Sequence, residues 1–269
     1  MNSHCFGAMK IKEITDVIER FAPLALQESY DNAGLIVGRP DDEVHAALLA
    51  VDVTEEVLDE AEREGCDLIV AHHPIVFHPL KRFNSSTGVE RCVERAIRRG
   101  IALYACHTNL DSAPGGMSWR LAQLLGVENA RVLEPRPESP GAGFGVVGEL
   151  PEPRLLEEYL RFVKETLRVG AVRHSAPTGR PVGRVALCTG SGASLMEAAR
   201  RSGCDLYITA DLKYNDFMTP DRDFVAADVG HFESEYCVID ILFDVFRKNL
   251  LTFAVRKSRC SRNPIYYLV

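Results

Sequence analysis

Apolar positions along the chain alternate between two spacings. Ile14, Val17, Ile18 and Phe21 recur at helical intervals, which predicts a helix over 12–21 with one buried face. Ala46–Val51 and Leu68–Ala71 are short unbroken apolar runs, the pattern of strands covered on both faces. Between them Val57, Leu58 and Ala61 follow the helical period, and Gly65 offers a left-handed stop. Thr87-Gly-Val-Glu90 has capping-box spacing and opens a helix that ends near Gly100. Helices are also predicted over 117–125, 155–167 and 233–250, with a strand over 182–188. Helices and strands thus alternate throughout, which argues for α/β layers with helices on both faces of a sheet.

The pattern also repeats. Leu58–Ala71 aligns with Met196–Thr209 at a constant offset of 138 residues, and six of the fourteen positions are identical. Both copies follow an apolar strand, stop a helix at a glycine (Gly65 or Gly203) and enter another strand. A second pair matches 101–111 with 225–235; each is a strand ending in His-x-x-x-(Asp/Glu). Chance resemblance of helix–turn–strand segments competes with this reading, but the shared context favours duplication. The expected organisation is a first α/β half over 9–133, a Pro- and Gly-rich linker over 134–141, and a second half over 142–269. No inserted mid-chain domain fits that short link.

Composition narrows the classes. With 31 basic and 38 acidic residues, the net charge of −7 gives no general attraction to nucleic acid or anionic membranes. No apolar run approaches the roughly 20 residues of a membrane span. No secretory signal is visible at the N-terminus, and Met9 offers an alternative start that would leave residues 1–8 as an extension. The eight cysteines form no Cys-x-x-Cys pair and read as reduced thiols in a cytoplasmic protein.

Open α/β sheets bind ligands at the carboxyl ends of their strands, and there the sequence places its histidines. His72-His73-Pro74 closes one predicted strand, His107 the next, and His231 the corresponding strand of the second half. A His-His pair at a strand exit is either hydrogen-bonded packing or a pair of metal ligands. Glu235 falls on the helical line of Ile239, Leu242, Phe243 and Phe246; a carboxylate there is salt-bridged, protonated or metal-bound. Asp111 is either a turn aspartate or a ligand. Together His72, His73, Asp111, His231 and Glu235 suffice for two divalent ions sharing a bridging carboxylate, with Glu235 the best bridge. Nitrogen and oxygen donors of this kind suit Zn, Mn, Fe, Co or Ni. His107 fits better as an orienting group or proton donor.

Two glycine motifs need separate readings. Gly143-Phe-Gly-Val-Val-Gly148 matches a dinucleotide fingerprint, but Pro151 and Pro153 follow where a helix should start, so a strand or hairpin is expected. Thr189-Gly-Ser-Gly-Ala-Ser194 is either a plain strand-to-helix turn or a loop for a substrate phosphate.

The ordered set Ser29-Tyr-Asp-Asn-Ala-Gly-Leu-Ile-Val-Gly38, Ala71-His-His-Pro-Ile-Val-Phe77, His107-Thr-Asn-Leu-Asp111, Thr189-Gly-Ser-Gly192 and Gly230-His-Phe-Glu-Ser-Glu235 resembles the Nif-three-like family. Its members carry the name GTP cyclohydrolase 1 type 2 homologue. The resemblance runs from about Lys12 to Val269. It implies duplicated three-layer α/β/α halves with a dinuclear metal site in the cleft between them, and a toroidal homohexamer. The family's ligand positions fall on His72, His73, Asp111, His231 and Glu235. The name implies hydrolytic opening of the guanine ring of GTP, with Glu235 and His107 as catalytic groups and a nucleotide or related phosphorylated molecule as substrate. A metal-delivery protein or regulatory ring without turnover is the competing class; a nuclease lacks a basic stripe. Tyr30 stands where the family often has Trp. Phe144 and Val146 stand where basic residues are common, so a phosphate contact is not expected there.

Overall fold

The computed structural model describes residues 7–218 and 224–268, so Cys5 and the rest of residues 1–6 lie outside the described residues. In chain order the first elements are β1 (Met9–Lys10), α1 (Ile11–Phe21), β2 (Gly34–Val37), β3 (Glu43–Val44), β4 (Ala46–Ala50), α2 (Glu55–Glu64), β5 (Leu68–Ala71), α3 (Gly88–Arg99) and β6 (Ala102–Ala105). Then come α4 (Thr108–Ser112), α5 (Met117–Leu124), β7 (Glu128–Arg136), β8 (Ser139–Arg154), α6 (Leu156–Leu167), β9 (Arg173–His174) and β10 (Val182–Ser191). The last are α7 (Met196–Arg201), β11 (Leu206–Ala210), β12 (Val225–Asp228), α8 (His231–Glu235), α9 (Val238–Asn249) and β13 (Ala254–Lys257).

The chain forms two compact units. One comprises 1–110 with 238–262, the other 111–237 with 263–269. This division departs from the expected halves 9–133 and 142–269. The reason is a return of the chain: β13 pairs in parallel with β4, Ala254 opposite Ala46. The supposed linker over 134–141 is instead the tip of a β7–β8 hairpin, with Glu134 opposite Phe144 and Arg136 opposite Ser139. Pro135 is tolerated because β7 is the sheet's edge strand.

In the first unit the sheet runs β13-β4-β5-β6-β2, parallel except for β2. Alternate residues decide its two faces. Leu48, Ile69 and Leu103 pack against Val57, Leu58 and Ala61 of α2 and Cys92 and Ala96 of α3. On the opposite face the Tyr104 hydroxyl donates to Glu19 of α1 at 3.1 Å, and α9 touches α1, β4 and β13. Gly65 and Gly100 end α2 and α3 where expected, both in the left-handed conformation predicted for Gly65 (φ 67° each).

The second unit repeats the core motif of three parallel strands, β10-β11-β12, inside the order β7-β8-β10-β11-β12-β9. Val185, Leu187, Leu206, Ile208 and Val225 pack on α5 and α6. Ala186, Cys188, Tyr207 and Ala226 face α7 with Ala198 and Ala199. The Gly143–Gly148 stretch lies within β8, as the sequence predicted. A Cβ at Gly143 would sit 2.1 Å from the Glu134 carbonyl and one at Gly148 2.4 Å from that of Glu128. Those glycines serve the close approach of the hairpin strands.

The predicted helix over 233–250 is broken at Tyr236–Cys237 into α8 and α9. Glu235 therefore does not continue the apolar stripe of α9. Among the described residues no two cysteines form a disulfide, and no helix is long and apolar enough to cross a membrane.

Glu60 of α2 fastens the returning C-terminal segment. Its buried carboxylate accepts hydrogen bonds from the Ser258 hydroxyl (2.5 Å) and the backbone N–H groups of Arg259 (2.9 Å) and Cys260 (3.1 Å). Burial pushes this carboxyl up, but those donors outweigh it and hold it below the usual range. Its stabilisation is present above the unfolded carboxyl's pKa of about 4.3 and is lost as pH falls through the folded value. Glu60→Ala is expected to cost roughly 2–3 kcal/mol at neutral pH by stranding these donors. Urea unfolding at pH 7 and pH 3 should show the gap from wild type closing at the acid end.

Candidate metal centre

In the first unit the site grows from the ends of two adjacent parallel strands. β5 stops at Ala71, and the N–H groups of His72 and His73 both donate to the Val51 carbonyl at 3.1 Å. Two successive donors on one carbonyl break the pleat, so neighbouring side chains escape the alternation of a regular strand. His107 leaves β6 next door. The ring centroids of His72, His73 and His107 are 4.9, 5.2 and 5.5 Å apart. One potential ligand atom from each lies within 4.8 Å of the others.

Hydrogen bonds orient all three rings. Nδ1 of fully buried His72 lies 2.8 Å from the Cys106 carbonyl oxygen. A carbonyl only accepts, so Nδ1 carries the proton and Nε2 holds the lone pair. Nδ1 of His73 donates to Asp52 at 2.8 Å, and that of His107 to Asp31 at 2.7 Å. Asp31 also accepts from the Thr108 N–H at 3.1 Å and from the Thr108 hydroxyl. Burial pushes the Asp31 carboxyl up, but the donors from His107 and Thr108 prevail and hold it at about 2.

The second unit builds a related set. After β12, Gly230 turns the chain with φ 86°, and His231 opens α8. Nδ1 of His231 donates to Asp211 at 2.8 Å, while Nε2 lies 3.1 Å from Glu235, which is 3 % exposed. Burial pulls the His231 pKa down, but Glu235 and Asp211 together carry it to about 9. Asp111 accepts from the Thr189 hydroxyl at 3.4 Å. Burial pushes the Cys188 thiol up to about 12, and the charges of Asp111 and Glu235 add to that rise. This thiol stays protonated and is a poor ligand.

The glycine-rich segment at 189–194 has a particular task. Gly190 has φ 61°, and a Cβ there would stand 2.1 Å from Oε1 of Glu235. Its N–H donates to the Ser234 hydroxyl at 2.9 Å. The segment thus makes room for the Glu235 carboxylate.

The first unit therefore brings His72, His73 and His107 together, and the second brings His231 and Glu235 together. His107, expected to stand back from the ligands, has its ring centroid 5.2 Å from that of His72 and 5.5 Å from that of His73, somewhat farther than the 4.9 Å between those two. Asp31, Asp52 and Asp211 are the residues that sequence reasoning missed. Asp52 and Asp211 each follow a strand run as its first charged residue. That was the signal used for the histidines, and it could have found them. Asp31 stands in the Ser29–Gly38 motif, with no local pattern tying it to His107.

Comparison with known proteins gives the family of the chain. A profile of the Duf34/NIF3 (NGG1p interacting factor 3) family matches residues 9–264. The chain belongs to the Duf34/NIF3 family. A relative from Clostridium perfringens named GTP cyclohydrolase 1 type 2 homolog is 34% identical over 97% of this chain and 100% of its own length. A Lactococcus lactis protein of the same name is 34% identical over 96% and 99%. Among solved structures, a hypothetical protein of Staphylococcus aureus superposes with a TM-score of 0.90 at 25% identity, covering 97% of this chain and 100% of that one. This Duf34/NIF3 chain thus has close relatives of matching length and a matching mixed α/β fold.

Gly190→Ala is expected to displace the Glu235 carboxylate, since both the added methyl and the left-handed backbone oppose it. In metal-free protein the His231 pKa should then fall from about 9 toward the ordinary histidine value. Histidine C2-proton NMR titration reads this directly; an unchanged midpoint would show that the carboxylate had not moved.

Proposed function

We propose that this member of the Duf34/NIF3 family is a dinuclear-metal-binding, hydrolase-like protein. In this reading His72, His73, Asp111, His231 and Glu235 would hold two divalent ions. The observation that supports it most is the orientation of four histidines: His72, His73, His107 and His231 each turn Nδ1 to an oxygen acceptor. Metal-binding histidines are held in this way, because an anchored N–H fixes the ring and raises the basicity of the other nitrogen. The imidazole and carboxylate donors fit Zn, Mn, Fe, Co or Ni.

When bound, such a pair supplies Lewis acidity and acidifies coordinated water. The chain's own residues position and move protons. Asp31 fixes His107, and His107 passes a proton to or from the reacting group. Asp52 and Asp211 hold His73 and His231 in register. GTP is the first substrate to test, because relatives carry the GTP cyclohydrolase 1 type 2 homolog name; other nucleotides and phosphorylated small molecules follow. The parallel triplets β4-β5-β6 and β10-β11-β12 support an origin by duplication. A homohexamer in the cytoplasm completes the reading.

His73→Ala and Glu235→Ala are each expected to lose at least one ion per chain while circular dichroism stays native. Elemental analysis of the purified variants checks this, and full stoichiometry in both would refute the ligand assignment. Metal-loaded protein is expected to consume GTP or another member of a nucleotide and phosphoester panel. If the whole panel is returned unchanged, the hydrolytic reading fails and a metal-delivery or regulatory role takes its place.

A further inference from the structure

Beside the histidines of the first unit, two large aromatic side chains lie at the surface. Tyr30 is 65 % exposed and Phe77 38 %. Their ring centroids are 6.4 Å apart, edge to face. The Phe77 ring stands 6.1 Å from that of His107 at 87°. Both segments are tied down. Asp31, next to Tyr30, is anchored on His107 at 2.7 Å, and the Asn32 side-chain amide donates to the Val76 carbonyl at 2.6 Å. The turn that carries Tyr30 and the loop that carries Phe77 are therefore fastened to one another and to His107.

Exposed rings on a fixed backbone lose little conformational freedom when they take up a flat partner, and aromatic faces stack on any planar heterocycle. A protein partner fits less well. The core of a protein interface is depleted in charged groups, whereas this patch runs straight into His107 and the buried Asp31 carboxylate. The two rings also form a narrow rim beside a donor cluster and lack the breadth of an apolar face.

Resting on the metal-dependent reading above, we propose that Tyr30 and Phe77 are specificity-determining residues. They grip a planar heteroaromatic group, the base of a nucleotide, beside His107. They hold the ring; they ligate no metal and carry no proton.

The test is calorimetric titration of the metal-loaded protein with GMP, AMP and ribose 5-phosphate, with saturation-transfer NMR on the base protons. A nucleotide should bind with its base protons saturated, and ribose 5-phosphate should bind at least about tenfold more weakly. Tyr30→Ala and Phe77→Ala should each weaken the nucleotide about tenfold at unchanged metal content. Tyr30→Trp should retain binding, and Phe77→Leu, apolar but not aromatic, should not. Equal affinity for ribose 5-phosphate, no nucleotide binding by wild type, or unaltered affinity in both alanine variants would overturn the proposal. So would a change in oligomer mass without a change in nucleotide affinity, which would mark the rings as a contact between copies. Base-dependent binding without turnover would support the aromatic rim while removing the hydrolytic reading; turnover of a substrate lacking an aromatic ring would do the reverse.

Discussion

A neutral imidazole has one donor and one acceptor, and fixing the donor fixes where the lone pair points. His72, His73, His107 and His231 all meet that constraint through Nδ1. Their acceptors come from the same places in the fold. Cys106 follows β6, Asp52 follows β4 and Asp211 follows β11, so the parallel registers that align the strands also align donors with acceptors. Shifting one strand would separate rings from acceptors before any ligand was involved. Asp31 adds a long-range tie, because a turn near the chain's start reaches the end of β6 through His107 and Thr108.

Charge gives this arrangement its direction. Asp111 and Glu235 both bear on the Cys188 thiol, and Glu235 is nearly excluded from solvent beside His231. Buried negative charge needs compensation. In the second unit a protonated His231 provides it, which is why that ring's pKa rises. A divalent cation would supply the same compensation with more charge and would release the imidazole proton. The acidic net charge of the whole chain matters less than these few placed carboxylates.

Much of this is legible in the sequence. Strand ends, glycine stops and the histidines after apolar runs depend on local spacing, and local spacing is what a sequence displays. The hairpin reading of Gly143–Gly148 succeeded for the same reason, since Pro151 and Pro153 forbid a helix there. What escaped depends on pairing between distant segments. Nothing around Ala254–Lys257 announces β4 as its partner, so the division of the chain into units differed from the expected halves. Glu235 was placed on the right kind of element for the wrong reason. The helical period runs through Tyr236–Cys237 unbroken in sequence, while the backbone breaks there. Its burial comes from the space left by Gly190, on a strand far away in the chain.

The return of β13 to β4 bears on how the protein is made. A ribosome delivers residues in order, and the second unit is nearly continuous, 111–237. The first unit must wait for residues 238–262, because until then one edge of β4 lacks its neighbour and α1 lacks the covering helix α9. The nascent chain thus carries an incomplete first sheet, its unpaired edge able to recruit other strands, while the later-encoded unit lacks only residues 263–269. Glu60, waiting on α2 for Ser258 and its neighbours, is the latch on that return.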